Sequence, residues 1–485
     1  MVNFKIVSKI LGQLLLIESV MMAGCMIMAF CYHEDDTMAF IISVVVTIGA
    51  AFILKYLGRN AENTLGRRDA YLVVTFTWIV FSIFGALPFL ISGYVTTPTD
   101  AFFETMSGFT TTGASVIDDV ERLPHGMLFW RSLTQFIGGL GIVFFTIAVL
   151  PSMVGGSVKV FAAEATGPMR AKLHPRLSTT AKWIWTVYIF LTVACALAYW
   201  GGGMEWFDSI NYSMATTATG GFSTHNNAIG FFNSPTLESI AVLFMFLSGT
   251  SFTLLYFSIF KGKPQRLFKD AEFRFYFFMV SGAIIWLTAI LIRSNGYGLF
   301  HAFRSALFQV VSFTTTTGLY SDDVARWPHL TWIILGVLMF IGGCAGSTSG
   351  GYKCLRGLMA LKMIRNEFRR ILHPKAVLPV KINDQNIHYS SQATLLAFTV
   401  LFGVAATAIT ALMISMNIDH INAIIIAMSC VSNVGPSLST QIGPDMAWST
   451  LPDGIKWACS LLMLMGRLEI ISVVVLFTPS FWKDN

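Results

Sequence analysis

Phe109-Thr110-Thr111-Thr112-Gly113 recurs about 205 residues later as Phe313-Thr314-Thr315-Thr316-Thr317-Gly318. The echo continues downstream. Asp118-Asp119, Leu123-Pro124-His125 and Phe136-Ile137-Gly138-Gly139 are answered by Asp322-Asp323, Trp327-Pro328-His329 and Phe340-Ile341-Gly342-Gly343. A Thr-rich turn ending in glycine offers one specific chemistry. Glycine takes positive φ readily, which lets neighbouring carbonyls line up on one side. Carbonyl oxygens so aligned replace the hydration shell of a cation. The competing use of the same residues is close helix packing in lipid. Two near-identical copies and a third variant favour a pore, because repeats in membrane proteins commonly surround a shared path.

The elements that hold these turns are membrane helices. The 485-residue chain is 54% hydrophobic and 12% charged, against roughly a quarter charged in soluble domains. Candidate spans fall at 11–32, 38–57, 70–94, 127–151, 181–200, 236–260, 272–293, 330–360, 391–416 and 455–479, each about the 20 residues that cross the hydrocarbon layer. The first lacks a small-residue cleavage site and reads as a retained helix, not a signal peptide. Lys and Arg cluster at 5–9, 55–68, 159–182, 261–274 and 356–381, while the alternate loops are acidic or neutral. This orients both termini to the cytoplasm and accounts for the net charge of +6 without nucleic acid. The seven cysteines include no CxxC and read as reduced packing residues.

After the first two spans, the remaining eight form four pairs. Each pair flanks a moderately apolar segment, at 100–113, 205–220, 303–318 and 420–435, too short to span. A short helix that enters and returns fits such a length where it lines a cavity or is buried in protein. Its carboxyl end, with a partial negative charge, then favours a cation at the membrane centre. The predicted fold is an all-α integral membrane protein. Two N-terminal helices (1–68) precede four pseudo-repeated helix–pore loop–helix units, at 69–156, 157–261, 262–375 and 376–485, around a central pore. The second copy of the turn is Thr216-Thr217-Ala218-Thr219-Gly220-Gly221, and the fourth, Ser432-Asn433-Val434-Gly435-Pro436, keeps only the glycine.

Three further features invite a role. Gly342-Gly343-Cys344-Ala345-Gly346-Ser347-Thr348-Ser349-Gly350-Gly351 interrupts the eighth span; five glycines cost about 1 kcal/mol each in a helix, so the stretch is expected to be non-helical. Arg467 lies within the last span, where a charge is expensive and marks function by default. Glu469 is two residues on, pointing to a different helix face. The alternative for Arg467 is a salt bridge to another helix. The Asp118-Asp119 and Asp322-Asp323 pairs could concentrate cations at a mouth, although capping of the following helix suits them better.

These features together resemble the Trk/Ktr/HKT superfamily of potassium transporters, in particular its bacterial TrkH-type subunits. The likeness covers nearly the whole chain, and its motifs are specific in combination and weak singly. It implies K+ uptake across the bacterial inner membrane through a gated, channel-like pore. The filter glycines would be Gly113, Gly220, Gly318 and Gly435. The preceding Thr110, Thr111 and Thr112, Thr217, Ala218 and Thr219, Thr315, Thr316 and Thr317, and Ser432, Asn433 and Val434 would supply the carbonyls. The Gly-rich stretch would obstruct the closed pore through Gly342, Gly343, Gly346, Ser347, Thr348, Ser349, Gly350 and Gly351, with Arg467 in the conduit beside it. The resemblance also implies a homodimer in membrane lipid and a cytoplasmic nucleotide-binding ring of the TrkA type, docking on basic loops such as 159–182, 261–274 and 365–381, although membrane orientation alone suffices to explain their charge. No nucleotide site is expected in this chain, which has no GxxxxGK[ST]. The two-glycine TVGYG filter of dedicated potassium channels is absent, which implies less sharp selection.

Two other classes compete. A symporter coupling K+ to Na+ or H+ wants a carboxylate at membrane depth, for which Glu469 is the main candidate. A membrane enzyme is disfavoured, since no Ser/His/Asp, HExxH or CxxC constellation occurs in the spans.

Overall fold

The computed structural model describes residues 2–61, 65–141, 177–376, 378–383, 385–436 and 448–483. Helices dominate them; the one strand pair among the described residues is a small hairpin, Lys381–Ile382 antiparallel to Gln385–Asn386. Long apolar helices run over Phe4–Tyr32, Thr37–Leu57, Arg67–Ser92, Ala181–Gly201, Ala271–Asn295 and Tyr389–Ser415. Their outward faces carry large apolar side chains such as Val45, Phe52, Ile285 and Val400, as lipid contact requires. Polarity is instead concentrated inside, where the threonines of the repeated turns are fully buried.

The four short segments form helices at Pro98–Phe109, Trp206–Ala218, Leu299–Thr314 and His420–Ser432. Local chemistry starts two of them. Thr97 accepts a hydrogen bond from the Asp100 amide with Pro98 at the first position, and Asp419 accepts from the Ile421 and Asn422 amides.

The ten expected spans are not ten straight helices. The sixth is cut at Gly249-Thr250-Ser251 into Pro235–Ser248 and Phe252–Ile259, bent by 107°. The tenth is cut after Arg467, where Asp453–Arg467 and Ile471–Phe477 diverge by 112°. The eighth comprises His329–Ile341 and Cys354–Leu372 around the Gly-rich stretch. The fourth is helical over His125–Gly139, and residues 142–151 of it lie outside the described residues. Breaks thus occur in the second helices of units two, three and four, whereas only the third was expected. Hydropathy does not register a break of three residues whose flanks are both apolar.

Buried polar ties join the units. Lys456, in the last unit, pairs with Asp100 at 2.5 Å, and the Trp448 amide donates to Ser115 O at 2.7 Å. Arg304 of the third unit pairs with Glu238 of the second at 3.2 Å.

Candidate functional site

Each short helix ends in the same backbone gesture. Thr111 (φ 54°), Thr219 (φ 53°), Thr316 (φ 56°) and Asn433 (φ 55°) are left-handed, and two residues later so are Gly113 (82°), Gly221 (82°), Gly318 (79°) and Gly435 (89°). Asparagine tolerates this region, but a β-branched threonine there is an outlier. Its recurrence in three walls shows a backbone imposed by the surroundings.

The walls close on one another in a circle. A methyl placed on Gly113 would lie 2.1 Å from Gly220 O; on Gly221, 2.3 Å from Thr317 O; on Gly318, 2.1 Å from Val434 O; and on Gly435, 2.2 Å from Thr112 O. Four carbonyls, those of Thr112, Gly220, Thr317 and Val434, therefore form one ring in which each wall abuts the next. The residues of these turns are buried except Gly113 and Gly221, which are half-buried.

This geometry corrects the register of the second wall. Gly221, and not Gly220, stands level with Gly113, Gly318 and Gly435, so the wall comprises Ala218, Thr219 and Gly220. Thr217 falls back into the end of the short helix, where its hydroxyl donates to Ser213 O and pairs with Thr192 at 2.8 Å. In walls one and three, hydroxyl pairs brace the turn: Thr110 with Thr112 at 2.8 Å and Thr315 with Thr317 at 2.7 Å. In wall four the Asn433 amide donates to Thr112 Oγ1 and to Met463 O.

The Gly-rich stretch lies against the ends of these walls. Gly342, at φ 73° and ψ −170°, adopts a conformation open essentially to glycine alone. Glu272 Oε1 accepts from the Ala345 and Leu355 amides and so pins both flanks of the loop. Gly343 N donates to Ser349 Oγ, Ser347 Oγ to Cys344 O, and Gly346 O accepts from Phe252 N. Thr348 Oγ1 donates to Thr217 O at 3.0 Å, Gly350 N to Thr316 Oγ1 at 2.6 Å, and Gly351 N to Ser432 O at 2.9 Å. The run 348–351 thereby contacts the end of the second short helix and walls three and four. Arg467 reaches it from the fourth unit: Nη1 donates to Thr348 O at 3.0 Å, and Nη2 to the carbonyls of Gly138 and Gly139 in the first.

Glu469 pairs with Arg356, whose guanidinium stacks on Phe398. The Asp pairs act as caps, of a short 3-10 turn and not of the long helix: Asp119 accepts from Glu121 N and Asp323 from Ala325 N. Each also pairs with an arginine three residues on, Arg122 and Arg326, at 2.8 Å.

Sequence reasoning missed four participants. Glu272 and Lys353, which donates to Ser349 O, hold the loop. Glu104 and Arg131 form a pair only 1% and 3% exposed, at 2.9 Å. Arg131 also donates to Ser223 O and Ser115 Oγ, and Glu104 accepts from Ser115 Oγ and the Val116 amide. A charge in each of two apolar segments was the available signal.

Beyond the second wall, His225 stacks on Phe231 and lies 3.2 Å from Asp208 and 3.5 Å from Glu121. Burial opposes its protonation, but the two carboxylates outweigh this and hold its pKa above the ordinary value. A raised folded-state pKa stabilises fully below the unfolded value, about 6.5, and the contribution is lost as pH rises through the folded one. Thermal melts in detergent are expected to show greater stability at acid than at alkaline pH, by an increment that His225→Gln removes. An identical pH dependence in that variant would count against the pairing.

Comparison with known proteins sets this geometry in context. The family model described as TrkH, cation transport protein, matches residues 36–484. The chain is 36% identical over 492 residues to the Trk system potassium uptake protein TrkH of Halomonas elongata, covering 99% of this chain and 100% of the other. It is 37% identical over 490 residues to the protein of the same name from Escherichia coli, with the same coverage. The crystal structure of the potassium transporter TrkH from Vibrio parahaemolyticus superposes with a TM-score of 0.89 at 33% identity, over 99% of this chain and 100% of that one. A match of this extent in both sequence and fold places the chain in the TrkH family of cation transport proteins.

Proposed function

We propose that the chain takes up K+ across the inner membrane of a bacterium, with both termini cytoplasmic, through the ring of four carbonyl-bearing turns. The observation that carries this reading is the closed circle of Gly113, Gly221, Gly318 and Gly435 against the carbonyls of Gly220, Thr317, Val434 and Thr112. Carbonyl dipoles held by buried walls exchange with an ion's hydration shell without moving. The names of the relatives supply the ion, potassium. The run 348–351 and Arg467 occupy the path on one side of the ring, so the described conformation is closed, and their withdrawal opens it.

The same relatives are named as parts of a Trk system, which supports further components. A nucleotide-binding ring of the TrkA type fits the cytoplasmic face, and a homodimer completes the assembly. Of the basic loops expected to dock the ring, residues 159–176 of the first lie outside the described residues. The second, 261–274, is tied to the chain just past the third, 365–381, where Asn383 accepts from the Ala271 amide and donates to Asp270. Glu469, the main candidate for coupled symport, is paired with Arg356, which supports the channel reading over that alternative.

Flux of K+, Rb+ and Na+ into liposomes holding the purified protein tests the reading. K+ and Rb+ are expected to pass ahead of Na+. Gly113→Ser or Gly318→Ser places atoms where the next wall's carbonyl stands and forces a strained backbone, so K+ preference over Na+ is expected to fall about tenfold or more, each 1.4 kcal/mol being a factor of ten. Preference surviving both changes would remove the filter assignment. Reversal potentials that follow the K+ gradient alone separate a channel from a symporter.

A further inference from the structure

Gln135 belongs to no wall of the ring, yet one of the walls depends on it. It lies fully buried in the helix His125–Gly139 of the first unit. Both ends of its amide are engaged by the second unit: Nε2 donates to Gly220 O at 2.7 Å, and Oε1 accepts from the Phe222 amide at 3.1 Å. The side chain therefore clasps the peptides on either side of Gly221.

Walls one and three need no such clasp, because Thr112 and Thr317 are braced by Thr110 and Thr315. Wall two has Ala218 and Gly220 at the corresponding places, and no hydroxyl pair is possible. Gly220 is not a glycine for conformational reasons, since its φ lies outside the left-handed region. It is a glycine because the space is taken: a Cβ there would stand 2.5 Å from Gln135 Cδ and 2.6 Å from its Oε1. The clasp and the missing side chain are two halves of one arrangement. A carbonyl oxygen has two lone pairs, so an amide donor on Gly220 O leaves the other free for an ion.

We propose that Gln135 is a selectivity-determining positioning residue, fixing the Gly220 carbonyl within the four-carbonyl ring so that the ring discriminates K+ from Na+. This rests on the filter reading given above. It also states that Gly220 and Gln135 are interchangeable, as a pair, for the threonine brace of walls one and three.

The test is the K+-over-Na+ flux ratio of the full chain in liposomes, normalised to folded protein. Gln135→Leu keeps the volume and loses both hydrogen bonds; the ratio is expected to fall about tenfold, on the scale of one or two bonds near 1 kcal/mol each. Gln135→Glu retains an acceptor for Phe222 N and, when ionised, loses the donor to Gly220 O; it is expected to fall likewise, and it decides the matter if Gln135→Leu does not fold. Gln135→Ala combined with Ala218→Thr and Gly220→Thr rebuilds the hydroxyl brace and should return the ratio to within about threefold of the native one, whereas Gly220→Thr alone should not fold or should not select. A folded Gln135 variant with the native ratio overturns the proposal, provided Gly318→Ser, on a wall Gln135 does not touch, has lost it. If Gly318→Ser also keeps the native ratio, the filter reading itself falls and takes this proposal with it.

Discussion

Arg467→Ala is expected to raise K+ flux through the protein in liposomes by about ten- to a hundredfold, the range that one charge-assisted hydrogen bond of roughly 1.5–3 kcal/mol corresponds to. Two effects act in the same direction. The guanidinium ties the loop to the opposite unit through Thr348 O and the Gly138 and Gly139 carbonyls. Its charge also opposes any cation nearby, by about 4 kcal/mol at 4 Å in an effective dielectric of 20. Arg467→Lys separates them, because lysine keeps the charge but lacks the planar fork that reaches both partners. An intermediate flux in Arg467→Lys assigns part of the barrier to the tie; a flux equal to the native one assigns it to charge. Unchanged or lower flux in folded Arg467→Ala would remove the residue from the barrier altogether.

The largest loss of stability is expected from Arg131→Met. The guanidinium and Glu104 are almost wholly buried, and removing one member of such a pair strands the other, at a cost of about 3–5 kcal/mol. Here the stranded carboxylate would keep only Ser115 Oγ and the Val116 amide. Ser223 O would lose a donor and Phe222 the cation stacked 4.2 Å from its ring centre. The pair joins the exits of walls one and two, so the damage is expected to reach K+ preference as well as melting temperature. Arg131→Met with Glu104→Leu replaces the pair by apolar groups and should recover most of the stability. Equal melting of the single and native proteins in detergent would show that the pair is not structural.

The fold class is legible from composition and apolar runs, and so is the place of each short helix. The fourth is instructive: Ser432-Asn433-Val434-Gly435 shares only glycine with the first turn, yet its helix, His420–Ser432, ends in the same backbone as the others. The turn requires positive φ at two positions, and Asn433 meets one of them as well as threonine does. The second wall is less legible, because Gly220-Gly221 offers two glycines and only the neighbouring wall decides which takes positive φ. The bends near Thr250 and Leu468 are illegible for a similar reason. They are held from outside, by Gly346 O on the Phe252 amide and by Arg356 on Glu469. Gln135 is a single glutamine in a helix, with no periodicity or motif to mark it.

The groups that receive the loop and Arg467 across the ring's end share one chemical character. Thr348, Gly350, Gly351, Cys344 and Arg467 donate to the carbonyls of Thr217, Ser432, Gly249, Gly138 and Gly139 and to the Thr316 hydroxyl. None of these acceptors is a carboxylate. Glu272 anchors the base of the loop, but across the ring's end the proposed obstruction is held the way a dehydrated cation is held, by neutral oxygens. Its departure would strand no carboxylate at the ring's end and would leave neutral acceptors that water or K+ can satisfy at once. The proposed opening is in that sense an exchange of ligands at a common set of oxygens, with amide and guanidinium donors on one side and the ion with its remaining water on the other.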